Sequence, residues 1–189
     1  MQENKKIQEI KRINAILYFA SKIKDCGKTK LFKLLYFLDF IHFKKYGFSV
    51  TGYTYMVMPY GPVPKELFEQ LKLESLPKEY TEAFFVEKES KDEMDKYFLF
   101  HIKPRTKKLN LEWFSPSEIE IMEQVVEIFK DASAKDMIEA SHFHNQPWAK
   151  TLKEGKIGDV IVYLLVHDND TDLSLEELKE RYQLQKLLS

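Results

Sequence analysis

Few residues in this chain have a type and spacing that could do chemistry, and each group stops short of a complete site. Asp39 and His42 stand at i, i+3 within the run Leu31–Tyr46, LFKLLYFLDFIHFKKY. On a helix the two side chains can meet, and a carboxylate orienting an imidazole is half of a nucleophilic triad. No nucleophile completes it: Cys26 and Ser21 come from neighbouring helical turns, with no motif around either. The expectation is therefore a structural polar pair, Asp39 with His42, that satisfies itself and fixes the rotation of its helix. His142 and His144 flank Phe143; on a strand they would share a face, and on a helix they would point about 200° apart. No second Cys or His pair stands at zinc-ligand spacing, so the reading is a helix-end or capping histidine and no metal. There is no HExxH and no glycine-rich phosphate loop, with only six glycines along the chain. No catalytic residue and no cofactor are expected.

The element carrying Asp39 and His42 is the most apolar in the sequence. From Leu31 to Phe43 only Lys33, Asp39 and His42 are neither aliphatic nor aromatic. A helix apolar nearly all round must be covered nearly all round, so this one is expected to run through the core. Thr29 is its expected N-cap and Gly47 its left-handed C′ residue. Lys5–Lys24 reads as a surface helix, with Ile10, Ile13, Leu17 and Ala20 at helical spacing; Gly27 ends it, and the two helices should form an antiparallel hairpin. Phe48–Pro64 (FSVTGYTYMVMPYGPVP) has strand-like composition over Tyr53–Met58 and a turn at Gly61-Pro62. Its prolines suggest an edge or extended segment. Pro64 would then open a short helix, Lys65–Lys72.

Phe84–Glu89 and Tyr97–Lys103 read as an antiparallel hairpin with SKDEMD as its turn. Lys103–Lys108 (KPRTKK) reads as a solvated basic loop, with contact to an anionic partner as the alternative. Ser115-Pro116-Ser117-Glu118 is a capping box opening a helix to about Lys130. Ser133 caps a second helix ending near HFHNQP, and Ser174 with Glu177 caps a C-terminal one. Asp159–Val166 (DVIVYLLV) suits a buried strand or a buried helix; helix is the preferred reading. The fold class is mainly α (α+β): a compact helical domain around a central buried helix with a small antiparallel β-sheet, residues 1–189 forming a single domain.

Composition sets the class of function. The chain has 189 residues, 44% hydrophobic and 31% charged, as for a globular protein, and no leader peptide is expected from MQENKKIQEIKR. One cysteine fits a cytoplasmic protein. A net charge of −1 argues against unspecific nucleic-acid binding. Charge is uneven, with nine Lys/Arg against three acids up to Lys33, and six acids against three basics from Asp168. The basic N-terminal helix pair could read DNA, but its second helix is too apolar to be an exposed recognition helix. Nucleic acid is accordingly not the expected partner, and no membrane span is expected.

Taken together, several fragments form a pattern. Lys30, Leu31, Lys33, Leu34, Leu35, Tyr36, Phe37, Asp39 and His42 are followed by Thr51, Gly52 and Tyr55, then by Tyr60-Gly61-Pro62-Val63-Pro64. Ser141-His142, Pro147-Trp148 and Gly155 before Ile157 extend it. This resembles the Panacea domain, the antitoxin domain also called SocA-like. The resemblance implies a mostly helical domain with a small sheet. It also implies a role as the neutralising partner in a two-gene, type II toxin–antitoxin system of a bacterium or phage, by direct contact with a cognate protein toxin. A proteolytic adaptor, handing a bound partner to a cellular protease, is the alternative it allows, and a DNA-binding regulator ranks below both. Leu73–Phe114 carries no signature of the family, and no added DNA-binding domain is expected.

If the partner is a toxin, its expected contact surface is Tyr53, Tyr55, Met58, Tyr60, Gly61, Pro62, Val63 and Pro64. The segment holds more large side chains than one face of an edge strand can bury. Tyr and Met suit adaptable interfaces, and the prolines keep the backbone ordered before binding. The competing reading, of nearly equal weight, is that these aromatics simply cover the central helix.

Overall fold

Two helices open the chain, α1 (Gln2–Lys22) and α2 (Lys28–Tyr46), in a computed structural model that describes residues 2–90, 98–106 and 109–188. Every residue of α2 from Leu31 to Phe40 is buried, as are His42 and Phe43. That follows from its composition, because no face of it is polar enough to meet water. Gly47 takes the left-handed position at φ +75°, and its N–H donates to Phe43 O at 2.8 Å. The start differs from expectation. The N-cap is Gly27, Thr29 lies inside the first turn, and no side chain caps it. Gly27 thus begins α2 rather than ending α1. The reason is tertiary: Gly27 bridges His101, and a Cβ there would stand 3.0 Å from Phe100 O. Nor is α1 a surface helix throughout. Asn14–Phe19 are buried on every side, because that half packs against several elements besides α2.

The sheet beside α2 corrects a second expectation. β1 (Tyr55–Met58) is the central strand of three, in the order β2-β1-β5, and both pairings are antiparallel. β2 (Gly61–Pro64) is a strand rather than a turn, and Pro59-Tyr60 closes the hairpin between Met58 and Gly61. The prolines do seek the edge, but it is β2 that carries Pro62 and Pro64; β1 has none and keeps donors for both sides. β5 (Val160–Ile161) completes the sheet, and a single 3₁₀ turn, Tyr163–Val166, follows. Asp159–Val166 is therefore neither one helix nor one long strand. Two residues pair with β1, and Tyr163 then turns inward onto Phe40, with ring centroids 4.5 Å apart.

The remaining elements enclose this centre. α3 (Lys65–Lys72) has the expected bounds, with Pro64 as its N-cap. α4 (Lys78–Ala83), which the sequence reading did not anticipate, leads into β3 (Phe84–Ser90), paired antiparallel with β4 (Phe98–Pro104). Most of the SKDEMD turn, with Tyr97, Lys107 and Lys108, lies outside the described residues. α5 (Pro116–Phe129) starts at the Ser115 capping box, with Glu118 at N3. α6 (Ala134–His142) starts at Ser133 with Asp136 in the same role, and α7 (Pro147–Glu154) was not anticipated. α8 (Leu175–Leu188) follows Ser174, which exchanges hydrogen bonds with Glu177. The architecture is mainly α with small antiparallel sheets, as the sequence implied.

Candidate partner-binding site

The polar residues of α2 organise the site, each in a different direction. Asp39 is fully buried and gathers donors from the loop after α2 and from β1. Its Oδ1 accepts from Val50 N at 2.8 Å and Thr51 N at 2.7 Å; its Oδ2 accepts from the Thr51 hydroxyl and from Tyr55 OH at 2.8 Å. Tyr163 OH lies 3.3 Å from Oδ2 but only 2.8 Å from Tyr53 O, so its one proton goes to the carbonyl. Burial pushes the Asp39 carboxyl above its ordinary range, and the hydrogen bonds from Thr51, Tyr55 and Val50 pull it back. Arg12 secures the same turn from outside. Its Nε donates to Thr51 O at 2.9 Å, and its guanidinium lies 4.3 Å from the Tyr53 ring.

His42 turns elsewhere, so the expected Asp39–His42 pair does not close on itself. Its Nδ1 is 2.6 Å from Phe48 O and its Nε2 is 3.2 Å from Ser117 Oγ. A carbonyl can only accept, so Nδ1 carries the proton and Nε2 accepts from the serine: a neutral imidazole. Burial lowers its pKa in agreement. His42 thus joins α2 to the start of α5, while Asp39 joins α2 to the sheet. The possible nucleophiles are no better placed for catalysis. The Cys26 thiol is buried and pushed up to about 12, and the Ser21 hydroxyl donates to Tyr18 O at 2.8 Å.

The third polar residue, Lys33, is 1% exposed and donates to Pro62 O at 2.9 Å. Desolvation brings its pKa down to about 7. Gly61 makes room for it: at φ +90°, a Cβ would stand 2.6 Å from both Lys33 Cε and Ser141 Oγ. On the other side of that contact, His142 stacks on Trp148, centroids 3.7 Å apart and planes within 9°, and Trp148 Nε1 donates to Met58 O at 3.2 Å. Among the described residues, the buried His142 Nε2 has no hydrogen-bond partner. His144 lies beyond the end of α6 and is exposed. No group of three His, Cys, Asp or Glu side chains among the described residues is arranged for a metal ion.

Gly61→Ala tests how tightly this corner is closed. The substitution imposes a left-handed backbone on alanine and a clash of its Cβ with both the Lys33 side chain and Ser141 Oγ. The expected loss is about 2–4 kcal/mol, or a Tm lower by on the order of 10 °C. A variant melting with the parent would mean that an alanine fits there.

The residues expected to face a partner divide sharply. Tyr53, Tyr55, Gly61, Pro62, Val63 and Pro64 are buried, Met58 is half-buried and Tyr60 is 73% exposed. Within Tyr53–Pro64, only Thr54, Pro59 and Tyr60 are exposed. Tyr55 is edge-on to Tyr36, with centroids 5.7 Å apart, and covers the central helix. A second exposed ring adjoins the same corner: Phe143, next to His142 and 60% exposed.

Lys33, Tyr60-Gly61-Pro62, Ser141-His142 and Pro147-Trp148, separated by up to more than a hundred residues, therefore meet in one corner of the fold. A family model described as the antitoxin SocA-like Panacea domain matches residues 31–149, which contain all of them. The chain belongs to the SocA-like Panacea domain family. No curated protein and no solved structure matches it. Membership of this antitoxin family supports an antitoxin role and a toxin partner. Among the described residues no helix is long and apolar enough to cross a membrane.

Three members of the site escaped the sequence reading. Lys33 registered as part of the Panacea pattern and as an argument against a membrane span. A lysine in the run Leu31–Phe40, otherwise apolar but for Asp39, was the available signal. Arg12 registered only as N-terminal charge, and Phe143 only as the spacer between two histidines. Nothing local distinguishes either from a surface residue.

Proposed function

We propose that this Panacea domain chain is a cytoplasmic antitoxin that neutralises a separately encoded protein toxin by direct contact, without catalysis or cofactor. Its contact surface is centred on Tyr60 and Phe143, with Met58 at the margin. One observation carries the reading: the family pattern converges on a buried corner whose two outward neighbours are large exposed aromatics. Lys33, Gly61, Ser141 and the stacked His142–Trp148 pair fix the backbone at Gly61 and His142, the chain neighbours of Tyr60 and Phe143. A rigid base lowers the entropy lost when aromatic anchors are ordered by a partner, and Tyr is enriched among interface hot spots.

The test is a double variant, Tyr60→Ala with Phe143→Ala, co-expressed with a toxin whose gene neighbours its own. Both side chains are exposed, so Tm should stay within about 3 °C of the parent. Each truncation should cost about 2 kcal/mol or more of binding, roughly thirtyfold in Kd, and protection of the cells should be lost. A double variant that folds and still protects would move the interface elsewhere. Toxin abundance read in the same cells separates blocking, in which the level holds, from delivery to a protease, in which it falls.

A further inference from the structure

On another side of the molecule, α3, α4 and the β3–β4 hairpin enclose a cavity of about 240 Å³. Its apolar lining is Leu71, Leu76, Phe84, Phe85, Val86 and Phe100. Three cations stand at it, and among the described residues only Lys88 has a carboxylate partner, Glu74. Lys28 has neither a hydrogen bond nor an ion pair among the described residues; its ammonium lies 4.3 Å from the centre of the Phe100 ring. Arg105 donates through Nε to Thr81 O at 2.9 Å and lies over Phe85 at 4.9 Å, again with no carboxylate among the described residues. Lys28 is also the first residue of α2, whose start has no side-chain cap and no acid in its first turn. The positive end of a 19-residue helix thus lies, with no acid in its own first turn, beside an ammonium that has no ion pair among the described residues. A second cavity, of about 380 Å³, shares Lys28 and Phe100 and reaches Gly27 and Thr29.

We propose that this cavity binds a small amphipathic carboxylate, with its apolar body among the leucines and phenylalanines and its carboxylate at Lys28 and Arg105. The chemistry is complementary on both counts. An apolar lining favours a body without hydrogen-bonding groups, and two cations at its rim with no carboxylate partner among the described residues favour one anionic head. Size restricts the class further. The cavity is below the roughly 300–1,000 Å³ of drug-sized sites, so its ligand is an acid of one or two rings or a short chain. Desolvation already lowers the Lys28 pKa, and a bound carboxylate would relieve that cost. The site is independent of the toxin-facing corner.

Naphthalene-2-carboxylate is a suitable probe and naphthalene-2-carboxamide its neutral control, titrated by calorimetry and by backbone amide NMR. The expected result is saturable binding of the acid, with shifts at Lys28, Phe100 and Arg105, and at least about tenfold weaker binding of the amide. Lys28→Met and Arg105→Gln should each weaken the acid by about tenfold and leave the amide unchanged. If Lys28→Met does not fold, Arg105→Gln, on an exposed side chain, carries the same comparison. Tyr60→Ala with Phe143→Ala should leave acid binding as in the parent, which separates failure here from failure of the antitoxin reading. Equal affinity for acid and amide, shifts confined to other residues, or no saturation by about 10 mM would overturn the proposal.

Discussion

Asp39→Ala is expected to give a chain without a cooperative thermal transition. In the parent, Asp39 accepts from two backbone amides and two hydroxyls, all buried. Alanine leaves those four donors without an acceptor in a place water does not reach. Each orphaned donor costs about 1–3 kcal/mol, so the sum is comparable to the whole stability of a domain, about 5–15 kcal/mol. The damage would spread, because Val50 and Thr51 lead into β1, and Tyr55 joins that strand to Tyr36 and Phe40. Asp39→Asn is the graded control. Its amide oxygen still serves two donors, while its NH₂ faces hydroxyls that must rotate to accept. The expected order of Tm is parent, then Asn, then Ala, read by circular dichroism. Asp39→Ala melting within a few degrees of the parent would refute the account of this carboxylate as the fold's central acceptor.

The second large effect is one of pH and has the opposite sign. Lys33 is buried, and its pKa falls from an ordinary 10.5 to about 7 because the ammonium is desolvated. The unfolded chain therefore holds more protons on Lys33 than the folded one between about pH 7 and 10.5. Stability contributed at this site rises with pH across that window, by about 1.4 kcal/mol per unit at most. Below pH 7 both states are protonated and the full cost of burying the charge remains, roughly 5 kcal/mol. Lys33→Met removes the charge and gives up one hydrogen bond to Pro62 O, worth about 1 kcal/mol. The variant should therefore be more stable than the parent at pH 7, with the advantage shrinking towards pH 9.5. The difference between the two proteins is the quantity to follow. Burial also raises Cys26 and the buried tyrosines, which destabilise both folds alike as pH climbs past about 9. An advantage that stays constant from pH 7 to 9.5 would show that Lys33 does not titrate there. If the stabilised variant also loses protection against the toxin, the lysine is kept for the shape of the Tyr60 corner rather than for stability.

The features legible in the sequence share one property: their cause lies within a few residues. A helix whose stretch Leu31–Phe40 is aliphatic or aromatic at all but Lys33 and Asp39 has to be buried whatever packs against it. The capping boxes at Ser115 and Ser174 need only a hydroxyl and a carboxylate three residues on, and both form as read; Ser133, read only as a cap, also gains Asp136 as its N3 partner. Prolines lack an amide hydrogen, so their confinement to the sheet edge was foreseeable, although which strand formed that edge was not. Partnership across the chain was the tertiary structure's decision. Whether β1 lay at the centre depended on Val160 and Ile161, more than a hundred residues later. Asp39 and His42 had a local geometry that allowed a pair, yet the backbone amides of Val50 and Thr51 and the carbonyl of Phe48 were better placed, and no spacing rule reports that. Tyr55 and Tyr60 are five residues apart and chemically alike; one is fully buried and the other is 73% exposed. Aromatic composition suits a core and an interface equally, because both exclude water from the same rings. Only the packing of Tyr36, Phe40 and Tyr163 around Tyr55, and the exposure of most of the Tyr60 ring, separates the residue that holds this fold from the one that faces solvent.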